Sequence, residues 1–591
     1  MAIERVLIAN RGEIALRVAR ACRELGIATV AVYGDGEVDA LHVRYADDAY
    51  RLPGGAGLPY LNIDALLDIA GRAGVDAVHP GYGFLAENAA FAEACVSAGL
   101  TFVGPPAPAI AAMGDKVEAR RIAARAGVEP VPGTDGPVDS VDAARAWADQ
   151  HGYPVAVKAS AGGGGRGFRV ARTAEDLVTA LEGSRGEAER YFGSPDVYLE
   201  RYLEQPRHVE VQLFADAHGA TVALGERDCS VQRRHQKLIE ETPSPGVTPE
   251  IRDELCAASE RLARAVNYRG AGTVEYLLDA DGSFYFLEMN TRIQVEHTVT
   301  EMVTGIDLVA EQLRVAMGHP LSFGATRPPA TGCAIECRIN AEDAGRGFAP
   351  SPGTVTRYRE PSGFGVRVDG AMETGAAILA QYDSLIAKLI VWGRDRAEAR
   401  TRMQRALSDF DVEGVPTTIP FHLAALNHPV FAAGEATTTF IADHPEVLPA
   451  PASAADAGEA KPMEEQSPLD LRVEVDGRRF TVTVSGLPAS ASSAPGVDGR
   501  RTAPQRQRRG GGKDASTSAG DELVSPIQGT VLRVAVAEGQ AVARGDLICV
   551  VEAMKMDNEL TAHRDGMVER LTIKVGDGVK IGAVVCAITT A

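Results

Sequence analysis

Ten residues, Glu288-Met-Asn-Thr-Arg292-Ile-Gln294-Val295-Glu296-His297, bring acid, amide, guanidinium and acid into one short stretch. Arg292 can hold a small carboxylate-like anion through two parallel hydrogen bonds. Glu296 beside it can act as a base toward the same ligand. His297 reads as a structural hydrogen-bonding residue. Just upstream, Gly272 to Leu278 and Ser283 to Met289 are strand patterns around Asp281-Gly282, a type I′ hairpin signal. A two-residue loop there sets Glu275 directly opposite Glu288, with Asn290 on the face of Glu288. Like charges so placed repel, unless a cation sits among them. Oxygen-only donors on an open site suit Mg²⁺ or Mn²⁺ held jointly with nucleotide phosphates. The alternative is a solvated face of exposed glutamates.

A second constellation suits phosphate. The strand pattern Pro154 to Ser160 ends on Lys158 and runs into Gly162-Gly163-Gly164-Gly165-Arg166-Gly167, then Phe168-Arg169-Val170. Strand, glycines, strand is the plan of a hairpin that folds over phosphates, because only glycine lets backbone N–H groups approach the oxygens so closely. It is not a Walker A loop, since no Gly-Lys-Ser/Thr follows and no helix begins there. Lys116 and Lys158 supply cations. Arg233-Arg234-His235-Gln236-Lys237 is too basic for a core and is expected to face phosphate.

The C-terminal segment repeats itself at an offset of 37 positions: Gly529 falls on Gly566, Val531 on Val568, Val542 on Val579 and Cys549 on Cys586. Two such halves can close into a small β-sandwich with pseudo-two-fold symmetry. Lys555 then sits in an exposed turn at their junction, within Glu552-Ala-Met-Lys-Met556. Taken alone, Lys555 is a surface lysine between two core methionines. With the repeat, the segment resembles the attachment site of a biotinyl carrier domain. A lipoyl domain is the close alternative, but its acceptor lysine usually follows an acidic residue where this chain has Met554.

These elements belong to a chain of 591 residues, 45% apolar, with formal net charge -20. That length holds three or four domains with buried cores. The negative balance disfavours nonspecific binding to nucleic acid or anionic membrane. Arg5 to Ala9 already reads as a strand rather than a signal peptide, and no apolar run is long enough to span a bilayer. Eight scattered cysteines read as reduced thiols of a cytoplasmic protein. Residues 1–114 alternate strand and helix as a doubly wound α/β layer, whose first loop, Asn10-Arg11-Gly12, lacks the dinucleotide fingerprint. Residues 115–330 carry most of the polar chemistry, and 331–446 continue as mixed α/β. Residues 447–520 read as linker around one hairpin, Leu471 to Val484, and are a candidate docking segment for a partner. Within them, Pro488 to Gly520 reads as a solvated tether averaging about 30 Å end to end, a basic nucleic-acid tail being the alternative. Residues 521–591 are the repeat.

Seven motifs then carry a resemblance over about residues 3–445: VLIANRGEIA, HPGYGFLAEN, KASAGGGGRG, ERDCSVQRRHQK, EMNTRIQVEH, ECRINAED and YDSLIAKLI. Here the chain resembles a biotin carboxylase of the ATP-grasp superfamily. With its C-terminal repeat it is similar to the α subunit of bacterial acyl-CoA carboxylases. The resemblance implies an α/β N-terminal layer, an α+β ATP-grasp body with a glycine-rich lid, and an all-β biotinyl sandwich or flattened barrel. It implies that Lys116, Lys158, Gly163, Gly164, Gly165, Glu200, Leu203, His208, Gln232 and His235 hold ATP. Glu275, Glu288 and Asn290 would bind Mg²⁺ or Mn²⁺. Lys237, Arg292, Gln294 and Val295 would surround bicarbonate. Glu296 would deprotonate bicarbonate for attack on the γ-phosphate, giving carboxyphosphate, which breaks down to CO₂ and phosphate. Phosphate would take the ureido proton of biotin carried on Lys555, and Arg338 would stabilise the resulting enolate that captures CO₂. It also implies a carboxyltransferase β subunit, a biotin protein ligase and a hetero-oligomer. Ala161 stands where relatives often have another glycine. The 447–520 region is short beside relatives that dock a carboxyltransferase through a complete intervening domain. No second catalytic domain is read after it, which sets the chain apart from whole pyruvate or urea carboxylases.

Overall fold

The computed structural model describes residues 3–54, 58–160, 167–451, 469–475, 478–484, 521–525, 529–553, 556–580 and 582–589. The chain forms two compact units, the larger built on residues through Ala457 and the smaller on most of the remainder.

The larger unit opens with five parallel strands in the order Asp48–Arg51, Ala28–Tyr33, Arg5–Ile8, Ala77–His79, Thr101–Phe102. Val6, Leu7 and Val30 are fully buried, as expected of parallel strands covered on both faces. The loop after the first strand is tied to the motif around Gly81. Asn10 Nδ2 donates to Pro80 O and Tyr82 O, both at 2.7 Å. Gly81 has φ +61, and a Cβ there would come within 2.9 Å of Asn10 Nδ2, so only glycine fits.

An eight-stranded sheet dominates the rest. Its order is Phe284–Asn290, Gly270–Leu278, Arg207–Ala215, Thr221–Arg233, Gln236–Thr242, Cys333–Asn340, Leu385–Gly393, Val366–Gly370. It is continuous across position 330, through pairing of Gln236–Thr242 with Cys333–Asn340. That second strand alternates: Cys333, Ile335, Cys337 and Ile339 enter one apolar core, while Glu336 and Arg338 point to the other face. A separate three-stranded antiparallel sheet, Arg169–Ala171, Val155–Ala159 and Val197–Arg201, carries Lys158 and Glu200.

The hairpin expected to pair Glu275 with Glu288 does so by a different route. Its loop is not a two-residue type I′ turn. Leu278 pairs with Phe284 and Tyr276 with Phe286, so the loop holds Ala280, Asp281 and Gly282. Only Gly282 has positive φ, +87, whereas type I′ needs it at both central positions. Asp281 Oδ1 instead accepts from Ser283 N at 2.8 Å, an Asx contact that holds an ordinary negative φ. A register shift between Tyr276 and Glu275 cancels the extra residue and sets Glu275 opposite Glu288.

In the smaller unit, two four-stranded sheets run Glu522–Val524, Val584–Thr589, Gly566–Glu569, Ala541–Val542 and Met556–Thr561, Leu547–Ala553, Gly529–Val534, Gly578–Val579. Shifting by 37 positions carries each sheet's strands onto equivalent places in the other, which is the internal symmetry read from the repeat. Val531 and Val568 are both fully buried, as are Cys549 and Cys586. The strands Leu469–Val475 and Arg478–Val484 form the expected antiparallel hairpin, Leu471 facing Val482. Its Asp476-Gly477 loop lies outside the described residues, as does the Pro488 to Gly520 tether. All eight cysteines are free and buried. Among the described residues no helix is long and apolar enough to cross a membrane.

Candidate active site

One cavity of about 860 Å³ is lined by every described residue assigned above to ATP, the metal, bicarbonate or the biotin enolate. Gly163, Gly164, Gly165 and Lys555 lie outside the described residues.

At one end are the phosphate cations. Asp115 caps the helix Lys116–Arg125, accepting from Val117 N and Glu118 N at 3.0 Å each. The cap fixes Lys116 on the helix's first turn, its ammonium 4.0 Å from Glu288. Lys158 is paired with Glu200 at 2.5 Å, and Arg120 reaches the other oxygen of Glu200 at 2.5 Å. Burial opposes the charge of Glu200, but Lys158 and then Arg120 prevail and hold it below the usual carboxylate range. Arg234 and His235 form the hairpin tip at φ +48 and +65, a costly conformation for side-chain-bearing residues of the kind kept at functional sites. His235 meets Phe168, the residue after the glycine run, edge to face at 4.8 Å. The basic cluster divides. Arg234 to Lys237 line the cavity, whereas Arg233 lies over the Phe348 ring at 5.1 Å, so it does not join them in facing phosphate.

Lys237 is enclosed by carboxylates. Its Nζ donates to Glu210 at 2.5 Å, Glu275 at 2.8 Å and Glu296 at 2.6 Å. Burial disfavours its charge, yet these three raise its pKa well above the usual lysine value. Glu275 Oε1 also accepts from Asn290 Nδ2 at 2.8 Å and Gln294 Nε2 at 2.7 Å, and His208 Nε2 is 2.8 Å from Oε2. Lys237, and next His208, keep Glu275 ionised despite burial. Glu288, opposite, is more open. Two facing carboxylates with an adjacent amide, one edge open to the cavity, fit a hard divalent cation shared with phosphate oxygens.

Glu296 ends the loop that precedes the helix His297–Thr304. Its side chain does not cap that helix. Oε1 accepts from Lys237, and Oε2 accepts from Arg338 Nη2 at 2.8 Å. Burial would raise its pKa, but Lys237, Arg338 and Arg227 hold it far below the usual range. The loop itself is anchored from behind. His297 Nδ1 donates to Gln294 O at 2.6 Å, and the fully buried Lys388 donates to Val295 O at 3.1 Å. His297 is thus the structural residue expected.

Several functional neighbours gave no local sequence signal. Glu87 accepts from Arg292 Nε and Thr291 N, at 2.8 and 2.9 Å. Arg227, fully buried beneath the site, donates to Glu210, Gln212, Thr273, Gln294 and Thr300. Glu240 accepts from Arg338. Each pair joins segments distant in the chain, so spacing could not reveal it. Glu87 and Arg227 stood in motifs already noted, HPGYGFLAEN and ERDCSVQRRHQK.

A cation-lined cavity walled by a small antiparallel sheet and a large one, with facing carboxylates for a metal, defines an ATP-dependent ligase of the ATP-grasp class. Four family models match the chain: "Biotin carboxylase, N-terminal domain" over residues 2–110, "Carbamoyl-phosphate synthase L chain, ATP binding domain" over 115–323, "Biotin carboxylase C-terminal domain" over 336–443, and "Biotin-requiring enzyme" over 521–588. A biotin-dependent acyl-coenzyme A carboxylase alpha3 subunit of Mycobacterium leprae is 47% identical over 600 residues, covering 99% of this chain and 98% of that one. Biotin carboxylase 1 of Bacillus subtilis is 54% identical over 441 residues, 74% of this chain and 98% of its own length. The biotin carboxylase domain of Hydrogenobacter thermophilus 2-oxoglutarate carboxylase, solved with MgADP, ADP and bicarbonate, superposes with TM-score 0.74 at 48% identity, covering 76% of this chain and 99% of that one. The chain belongs to the biotin carboxylase family and carries a biotinyl carrier segment on the same polypeptide. It is an ATP-dependent ligase that carboxylates biotin.

Proposed function

We propose that this chain is the α subunit of an acyl-CoA carboxylase, charging biotin on its own Lys555 and passing the carboxyl group to a carboxyltransferase β subunit. The observation that carries the assignment of roles is Glu296, held between Lys237 and Arg338 on the wall of the cavity. Lys116 and Lys158, with the Gly163–Gly165 loop, hold the phosphates of ATP. Glu200, Leu203, His208, Gln232 and His235 complete the nucleotide site. Glu275, Glu288 and Asn290 hold the divalent cation, which supplies charge to the phosphate oxygens when bound. Arg292, kept in place by Glu87, orients bicarbonate with Gln294 and Val295. While both cations point at Glu296 it is a weak base. Lys237 turning to the incoming bicarbonate, and Arg338 to the reacting anion, free it to take the bicarbonate proton. The boundaries 1–114, 115–330, 331–446, 447–520 and 521–591 divide these tasks, with 447–520 as the segment that meets the partner. A biotin protein ligase modifies Lys555, the working enzyme is a hetero-oligomer, and the cysteine state suits the cytoplasm.

The α-subunit name of the Mycobacterium leprae relative supports the partner and the acyl-CoA destination. The test uses biotinylated full-length chain with ATP, Mg²⁺ and labelled bicarbonate. Label should appear as acid-labile carboxybiotin on Lys555, with none on acetyl-CoA or propionyl-CoA until a carboxyltransferase subunit is added. Acyl-CoA carboxylation by the pure chain alone would overturn the reading.

A further inference from the structure

Glu240 and Glu336 lie directly opposite each other across paired strands, and both side chains are fully buried. Opposed residues of an antiparallel pair bring their Cβ atoms within about 4.5–5.5 Å on one face of the sheet. Each carboxyl uses one oxygen. Glu240 Oε1 accepts from Arg338 Nε at 2.6 Å and Nη2 at 2.5 Å. Glu336 Oε2 accepts from the Thr298 hydroxyl. The other two oxygens, Glu240 Oε2 and Glu336 Oε1, are buried with no hydrogen-bond donor beside them. Two bare carboxylates cannot sit this way, because a buried charge without a partner costs several kcal/mol.

Among the described residues, the surrounding charges leave no cation free to settle the pair. Arg338 is shared with Glu296 at 2.8 Å. Lys237 is enclosed by its three carboxylates. Lys388 lies 3.3 Å from Glu13 and 3.9 Å from Asp369. The remaining titratable neighbours, the Cys229 and Cys337 thiols, have their pKa values pushed well up by burial first and then by carboxylates.

We propose that Glu240 and Glu336 share a single proton and act together as positioning residues for Arg338. The proton joins the two unpartnered oxygens. It leaves Glu240 Oε1 as the acceptor that orients the guanidinium, and it removes one negative charge from beside it. Arg338 then keeps enough positive charge for Glu296 and for the anion formed in biotin carboxylation. The acidities agree with this arrangement: burial, and next Arg338 acting against it, leaves Glu240 raised to about 7, while burial and then Glu240 push Glu336 well above the usual range. The inference rests on the role proposed for Arg338, but its first readout is independent of turnover.

The experiment is infrared spectroscopy of full-length protein with labelled glutamate carboxyls, at about pH 8.5. That is above the range near 7 where buried Glu13 and Glu342 release their protons. The parent protein should show a carboxylic-acid C=O band. The band should vanish in Glu336→Gln, where Arg338 still balances an ionised Glu240, and should shift in frequency in Glu240→Gln, where burial keeps the proton on Glu336 but the sharing is gone. In Glu336→Gln the alkaline limb of kcat for biotin carboxylation should move up by at least about one pH unit, with KM for ATP unmoved. A band missing from the parent, one surviving in Glu336→Gln, or one unshifted in Glu240→Gln would overturn the shared proton. An unmoved alkaline limb would overturn the link to Arg338 even with the band present. The parent spectrum decides the first point whether or not the variants fold.

Discussion

Lys237 Nζ stands 2.6 Å from Glu296 Oε1, so the base assigned to bicarbonate is clamped by the cation assigned to the same ligand. The same ammonium also meets Glu210 and Glu275. One buried lysine therefore links the metal carboxylates to the catalytic one. Charging any of these groups alone in this cavity would be prohibitive, and together they remain ionised.

Glu296→Ala and Arg292→Ala should each lower bicarbonate-dependent ATP cleavage by at least about two orders of magnitude, the scale of a positioned acid–base or charge-stabilising group. Coupled ADP release measured with and without bicarbonate checks this. Near-parental bicarbonate dependence in either variant would remove its assigned role.

Glu87→Gln keeps the shape but not the charge that orients Arg292 through Nε. KM for bicarbonate should rise about tenfold or more, with a smaller change in KM for ATP. Steady-state kinetics with each substrate varied separately distinguish this from a general loss of folded enzyme, which would lower apparent kcat and leave both KM values unchanged.

Lys555→Arg should abolish biotinylation. Intact-mass analysis of protein produced with a biotin protein ligase should show one added biotin in the parent and none in the variant. Biotin persisting in the variant would place the acceptor elsewhere.

Glu342 is buried, accepts from Ser384 at 2.5 Å, and has its pKa raised to about 7, chiefly by burial. The folded chain holds this proton while the unfolded chain has lost it, so this group's contribution to stability falls as pH rises from about 4.5 to about 7. Glutamine carries no such proton. Glu342→Gln should therefore gain stability relative to the parent across that window, by on the order of 3 kcal/mol at its top. Denaturant unfolding at several pH values checks the sign, and a constant difference would show that Glu342 ionises normally.

The sequence by itself determined the local elements and much of the chemistry. The repeat at offset 37 required two equivalent halves, because each half leaves an apolar face that only the other can cover, and Val531 and Val568 meet that requirement. Alternation in Cys333–Asn340 separated core from site. The motif from Glu288 to His297 put base, anion-binder and metal donors within ten residues. Tertiary structure alone decided their partners. Glu87 reaches the site from a turn and Glu210, Arg227, Glu240 and Lys388 from separate strands, and charge pairing across such distances leaves no periodicity in the chain. Even the pairing of Glu275 with Glu288, legible in advance, came about through a longer loop and a compensating bulge. The side chain of Asp281 set the turn, while the burial of Glu275 among Lys237, His208 and Gln294 set the register.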